Sequence, residues 1–349
     1  MAAASGNPTT PAPVRPRLRD VGRIAGVSPQ TVSRFLGGKG YISGETRVRI
    51  QDAIDALGYR PNRIARSLHQ TRTDMIGVLT AGDPTYGAAL TFAGVSASAH
   101  AADVTLITTH LERGEGFLGA EGRRAIERML SMQVDAIIVT ARVDGLDDTL
   151  AEIVRGEVPV IVVAGRPRAK TDTVLVDSFA AGQLAMSHLI DAGHERIVYL
   201  AGPEDSDESL ERERAYHHAM TAAGLPALPP VLAGDWTSDA GYNAGTRADH
   251  GQFTAVFSGN DELALGFMAA AREKGLTAPA DFSIVGIDDM PEARYFTPPL
   301  TTARLDFAAL GRAAFAMAQS EVTDGRGQPR VLVGPELVVR SSTGSPRRD

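Results

Sequence analysis

The chain has 349 residues, 43% of them hydrophobic and 22% charged, a globular composition too long for one small domain. It holds no cysteine, which excludes disulfides, thiol catalysis and cysteine-ligated zinc, and no apolar run approaches the roughly 18 residues of a membrane span. The net charge of −7 argues against a polyanionic partner only until it is divided: the first seventy residues hold eleven Arg and Lys against four Asp and Glu, a surplus of seven that leaves −14 for the rest. A basic head on an acidic body points to a nucleic-acid-binding domain joined to something else.

Residues 1–16 form an Ala/Pro/Thr-rich stretch with no apolar stretch of the kind a secretion signal needs. They read as a disordered tail, and the protein as cytoplasmic. In LRDVGRIA, Val21, Ile24 and Ala25 are placed on one helical face, and Gly26 supplies a tight turn. Gly22 costs that helix roughly 1 kcal/mol in propensity. Ser28 caps a second helix. Val32, Phe35 and Leu36 turn inward there and Gln30, Thr31, Ser33 and Arg34 stay outside. Two short helices around a Gly turn, with a hydrogen-bonding outer face, make a helix-turn-helix. A third helix follows Ser43, with Ile50, Ala53, Ile54 and Leu57 in one stripe. It must stop before Arg60, because Pro61 disfavours helix at the residue preceding it. The segment Arg63 to His69 has helical composition over about two turns, too short to be stable alone, so it should be frayed without DNA.

From Met75 the pattern changes to short apolar runs separated by helical stretches. The runs are MIGVLTA, VTLITT, AIIVTA, VIVVAG and TVLVDS, then IVYLAG, AVFSGN, FSIVGID and VLVGPELVVR. Amphipathic helices are expected at Gly122 to Met132 and Ala180 to Ala192. This alternation gives an α/β fold with parallel sheets covered by helices, in two units divided near Asp177. Ligands of such sheets sit at the carboxyl ends of the strands, so the cleft between the units is the expected site. Enzymatic signatures are missing: there is no Walker A, HExxH or G-x-S-x-G motif. The eight His are scattered, and the GGKG at Gly37 does not follow a strand. No catalytic residue, metal site or cofactor is expected.

Three stretches carry a resemblance. They are DV-x-x-x-AGVS-x-x-TVSR at Asp20 to Arg34, TR-x-R at Thr46 to Arg49 and LGY-x-PN-x-x-AR-x-L at Leu57 to Leu68. In this order and spacing they resemble the DNA-binding headpiece of the LacI family of bacterial repressors. The resemblance implies a headpiece at 17–60, a hinge helix and linker at 61–73, and a two-lobed core at 74–345 similar to periplasmic sugar-binding proteins. Lobe one would comprise about 74–176 and 306–333, and lobe two about 177–305 and 334–345, with crossings near Val176, Leu305 and Val333. It further implies a homodimer on a pseudo-palindromic double-stranded operator; the end SSTGSPRRD offers no leucine heptads for a larger assembly. Gln30 can bond adenine and Arg34 guanine bidentately. Ser28, Thr31, Ser33, Tyr59 and Asn62 suit phosphates, and Pro29 can give only apolar contact. Leu18, Ala65 and Arg66 complete the implied DNA surface, with Leu68 as a minor-groove wedge.

For a small-molecule effector the implied positions are Arg113 in LERG, Arg212 in ERERAY, Asn260 with Asp261 in GND, and Asp288 with Asp289 in GIDD. Trp236, in GDW, is the only Trp. Asp83, Thr85 and Tyr86 follow the first core strand, and Phe307 follows the return crossover. Such donors, acceptors and one aromatic face suit a sugar. Ala164 and Leu305 stand where lactose-type repressors carry Asp and Gln, so the pocket is not identical to theirs. The expectation is a carbohydrate-responsive repressor released by its sugar. A purine-type corepressor, or a phosphocarrier partner, is the alternative.

Overall fold

The structure is a computed structural model that describes residues 16–37, 40–60, 72–82, 85–111, 120–140, 154, 156, 158–166, 172–325 and 331–347. The chain forms two compact units, Met1–Thr73 and Asp74–Asp349. No helix among the described residues is long and apolar enough to cross a membrane.

The first unit holds α1 (Leu18–Ala25), α2 (Pro29–Leu36) and α3 (Gly44–Leu57). Arg17 gives α1 no side-chain cap, but the Asp20 carboxylate accepts the Arg17 N–H at 2.8 Å. Gly26, at φ 68°, closes α1 in the left-handed conformation that glycine adopts without strain. Ser28 and Ser43 cap α2 and α3 by accepting the N–H groups of Thr31 and Thr46. Val21, Ala25, Val32, Ile50, Ala53 and Tyr59 form the core, with Leu18, Phe35, Leu36, Ile54 and Leu57 packed against it. Ile24 departs from the expected face and is 51% exposed. The buried stripe of α1 runs through Leu18, Val21, Gly22 and Ala25, which leaves Ile24 roughly a quarter turn away. Gly22 suits that stripe, since a Cβ there would lie 2.8 Å from the Val27 carbonyl oxygen.

The second unit contains two six-stranded sheets. The first is built from β1 (Met75–Ala81), β2 (Thr105–Leu111), β3 (Ala136–Val139), β4 (Val160–Ala164), β5 (Asp172–Val176) and β11 (Val331–Val333), ordered β11-β5-β4-β3-β1-β2. All its pairings are parallel. Helices α4 (Tyr86–Ala101) and α5 (Ala120–Ser131) follow β1 and β2. The second sheet is built from β6 (Ile197–Ala201), β7 (Val231–Leu232), β8 (Ala255–Ser258), β9 (Ser283–Asp288), β10 (Thr301–Arg304) and β12 (Glu336–Val338), ordered β12-β10-β9-β8-β6-β7. Only the β10–β12 pairing is antiparallel among them. Its helices are α6 (Ser178–Asp191), α7 (Asp207–Ala222), α8 (Ser238–Arg247) and α9 (Asp261–Glu273), and α10 (Phe307–Asp324) returns to the first sheet.

The chain passes between sheets at Asp177, at Leu305-Asp306 and at Gly334-Pro335. The last passage divides the run VLVGPELVVR between the two sheets. Val331–Val333 pairs with β5, whereas Glu336–Val338 pairs with β10 in the other sheet. Pro335 has no N–H for a ladder, so the run breaks there. Helices α4 and α10 pack backbone to backbone. A Cβ at Gly94 would stand 2.2 Å from the Ala308 carbonyl oxygen, and one at Gly311 would stand 2.0 Å from that of Thr91.

Candidate functional site

Two regions gather the residues singled out in the sequence. On the first unit, Ser28, Pro29, Gln30, Ser33 and Arg34 are exposed along α2, with Thr31 half-buried. The Thr31 hydroxyl lies 3.0 Å from that of Ser28 and accepts from the Arg34 guanidinium at 3.5 Å. Gln30 and Arg34, four residues apart and both exposed, share a face of α2. Tyr59 and Leu18 are different: both belong to the headpiece core rather than to its polar face, and burial raises the Tyr59 hydroxyl pKa. Asn62, Ala65, Arg66 and Leu68 lie outside the described residues.

The second region is a cavity of about 120 Å³ in the core unit, between its lobes. That is smaller than the several hundred Å³ of drug-sized ligand sites. Its wall from the first lobe is largely apolar, with Ala81, Val163, Ala164, Phe307 and Leu310. Thr85 and Thr140 add hydroxyls there. Thr85 caps α4 by accepting the Ala88 N–H, and Phe307 meets Tyr86 edge-on at 6.2 Å. The wall from the second lobe is polar, with Glu208, Arg212, Asn260 and Asp288, and Trp236 beside them. Asp83 and Arg113 lie outside the described residues.

Arg212 and Asn260 on that second wall are fixed from behind. Arg212 is 4% exposed, donates to the Gly259 carbonyl at 2.7 Å and stacks its guanidinium 5.2 Å from the Trp236 ring centroid. The indole packs close against the Gly202 backbone: a Cβ there would come within 2.5 Å of it. Asn260 does two jobs, capping α9 by accepting the Leu263 N–H and donating to the Trp236 carbonyl. Asp288 stands at the end of β9 with φ 115°. Its Oδ1 lies 3.9 Å from the Arg212 guanidinium, too far for a hydrogen bond. Among the described residues, both Asp288 Oδ1 and Arg212 Nε are buried without a hydrogen-bond partner.

Burial pushes the Asp288 carboxyl up to about 7, with Arg212 opposing and Glu262 and Glu208 adding to the rise. Tyr86 is raised by its own burial and then by the charges of Asp288 and Asp289. Asp261, grouped with Asn260 in the sequence, takes no place on the cavity wall. Its Oδ1 accepts the Thr302 hydroxyl at 2.6 Å and its Oδ2 the Met290 N–H at 2.9 Å, so it is an internal anchor. Burial and the nearby Asp288 hold its carboxyl well above the usual range. Sequence reasoning missed Glu208 and Thr140. Glu208 stands four residues before Arg212, on the same helical face, which was the available signal; Thr140 is simply the residue after β3.

The amino-terminal part, residues 17–62, matches the family described as bacterial regulatory proteins, lacI family. Residues 186–343 match the periplasmic binding protein-like domain. Over 344 residues the chain is 33% identical to the HTH-type transcriptional repressor PurR of Erwinia tasmaniensis, an alignment covering 95% of this chain and 98% of that protein. It is 32% identical over 337 residues to PurR of Proteus mirabilis, covering 93% and 96%. Among solved structures, the lac repressor dimer bound to operator and the anti-inducer ONPF superposes with a TM-score of 0.87 at 27% identity, covering 95% of this chain and 100% of the other. The transcriptional regulator CelR–cellobiose complex superposes with a TM-score of 0.68 at 28% identity, covering 94% and 100%.

The chain belongs to the LacI family.

As a LacI-family member it is a DNA-binding transcriptional repressor and not an enzyme. It binds operator DNA and a small-molecule effector.

Proposed function

We propose that the repressor acts as a homodimer on a pseudo-palindromic operator, and that a sugar bound in the interlobe cleft releases it. Gln30 and Arg34 read base edges, Ser28, Thr31 and Ser33 hold phosphates, and Leu68 in the 61–73 hinge wedges the minor groove. The observation that carries the effector reading is the pair of unfilled groups, Asp288 Oδ1 and Arg212 Nε, buried beside Trp236. An unpaired buried polar group is costly. A neighbouring pair of sugar hydroxyls satisfies both, one donating to the carboxylate and one accepting from the guanidinium. The C–H face of the ring lies against the indole, and less polar substituents face Ala164 and Leu310.

A second reading has its own support, because relatives matching nearly the whole chain are repressors named PurR. A purine base also offers an N–H and a ring acceptor on one edge for the same two groups, with a flat face for Trp236. Such a ligand would strengthen operator binding rather than weaken it. The test is a fluorescence titration of Trp236, the only Trp in the chain, against galactosides and glucosides on one side and purine bases on the other. Operator affinity is measured in parallel. A sugar that moves the emission and weakens operator binding supports the first reading. A purine that moves the emission and tightens operator binding replaces it with the second.

A further inference from the structure

Asp288 and Asp289 are consecutive non-glycine residues at φ 115° and 53°. Residues with a Cβ avoid this region, and such backbone persists only where surrounding contacts over-determine it, which is common at ligand clamps. The Asp289 N–H donates to the Thr302 hydroxyl at 3.3 Å, and the next N–H, of Met290, donates to Asp261. The same Thr302 hydroxyl donates to the other Asp261 oxygen. The Asp289 carboxylate is 6% exposed and gives one oxygen to Arg304 at 2.8 Å and the other to Arg340 at 2.5 Å. Arg340 is itself fixed by donating to the Leu300 carbonyl at 2.7 Å.

The two neighbouring carboxylates thus have opposite fates. Asp289 spends both oxygens on arginines, while Asp288 lines the cleft with its Oδ1 buried and unpaired among the described residues. Arg304 is the last residue of β10, directly before the crossover at Leu305-Asp306. It also bonds Glu336 at 3.2 Å, the first residue of β12 after the crossover at Gly334-Pro335.

We propose that Asp289 is a positioning residue for the effector: gripped by Arg304 and Arg340, it holds the Asp288 backbone at positive φ so that the Asp288 carboxylate faces the cleft, and it ties that carboxylate to two interlobe crossovers. The inference deepens the effector reading above and rests on it where ligand affinity is concerned. A ligand that draws on Asp288 then loads the Asp289–Arg304–Glu336 chain, and with it the strands on which the lobes turn.

The test uses the full chain and two altered forms, Asp289→Gly and the double substitution Arg304→Met with Arg340→Met. Glycine tolerates positive φ, so Asp289→Gly removes the grip without adding strain; the double substitution removes the grip but keeps the aspartate. Crystal structures without ligand read the Asp288 φ directly. In the double substitution Asp288 is expected to relax to negative φ. Both forms are expected to bind the effector about tenfold or more weakly, the loss of charge-assisted positioning, with ligand-free operator affinity unchanged. A residue of merely structural importance would lower thermal stability and operator affinity together, and Asp289→Asn, which leaves one acceptor where two carboxylate oxygens accept from arginines, serves if either form fails to fold. The proposal is overturned if Asp288 stays near its present φ without the arginines, or if the altered forms bind the effector as the parent does while Asp288→Ala does not. If the parent itself answers to neither sugars nor purines, the effector reading fails, and the φ measurement still decides the grip.

Discussion

Replacing Asp288 by asparagine should stabilise the core at neutral and alkaline pH while removing its response to effector. Burial lifts the carboxyl from its ordinary 3.8 to about 7 against the pull of Arg212. In the unfolded chain the group ionises near pH 4, in the folded protein only near pH 7. The unfolded state therefore sheds its proton first. Stability is full below the lower value, falls as pH rises between the two, and is flat above the higher. About three pH units at roughly 1.4 kcal/mol each give a limit of about 4 kcal/mol. Asparagine has no proton to shed, so the stability gap between Asp288→Asn and the parent should widen by up to that amount from pH 4 to pH 7. At roughly 2–4 °C per kcal/mol for a domain of this size, the shift is readily measured. Thermal unfolding followed by Trp236 emission reports the core unit alone, since that unit holds the only Trp. A gap that does not change with pH, or that narrows as pH rises, refutes the reasoning. The gain in stability with loss of function is the exchange expected where a binding site keeps an unfilled carboxyl.

Operator affinity should fall steeply with salt, because the basic surplus of the first seventy residues releases counterions on binding; a flat log–log slope would contradict this. Arg34→Ala should cost about 1–3 kcal/mol on the operator and relax base preference there, read by competition against variant operators. Leu68→Ala should weaken operator binding more than non-specific binding, since a wedge acts only where a base step can kink; equal losses on both DNAs would count against it. Asp261→Ala should lower thermal stability, because it strands the Thr302 hydroxyl and the Met290 N–H, at about 1–3 kcal/mol for each buried group.

Much of the architecture was legible because its signals are local. The headpiece helices announce themselves through Ser28 and Ser43 as caps and through Gly26 and Gly58 as left-handed ends. The apolar runs that became β1, β3, β4, β6, β8 and β9 are buried on both faces and need no periodicity to be seen. What escaped was non-local. Strand β10 reads TTAR, polar by composition, yet Thr301 and Thr302 are fully buried because Ser342, Thr343 and Asp261 satisfy their hydrogen bonds. Strand β7 is two residues long, below any pattern. In the cleft, Arg212, Asn260 and Asp288 were marked by the family resemblance, and Trp236 by being the only Trp in the chain. The difference between Asp261, which is internally consumed, and Asp288, which is not, depends on Thr302 forty-one residues away along the chain.

The most direct measurement is linkage between the two ligands of the repressor. Effector affinity is determined by Trp236 emission on the free full chain and again on the chain saturated with operator. Operator affinity is determined with and without saturating effector. If the cleft controls the headpiece, the two ratios must be equal: for a releasing sugar, the factor by which it weakens operator binding is the factor by which operator weakens its own binding. Identical effector affinity for free and operator-bound protein would contradict that control, however tightly the ligand binds.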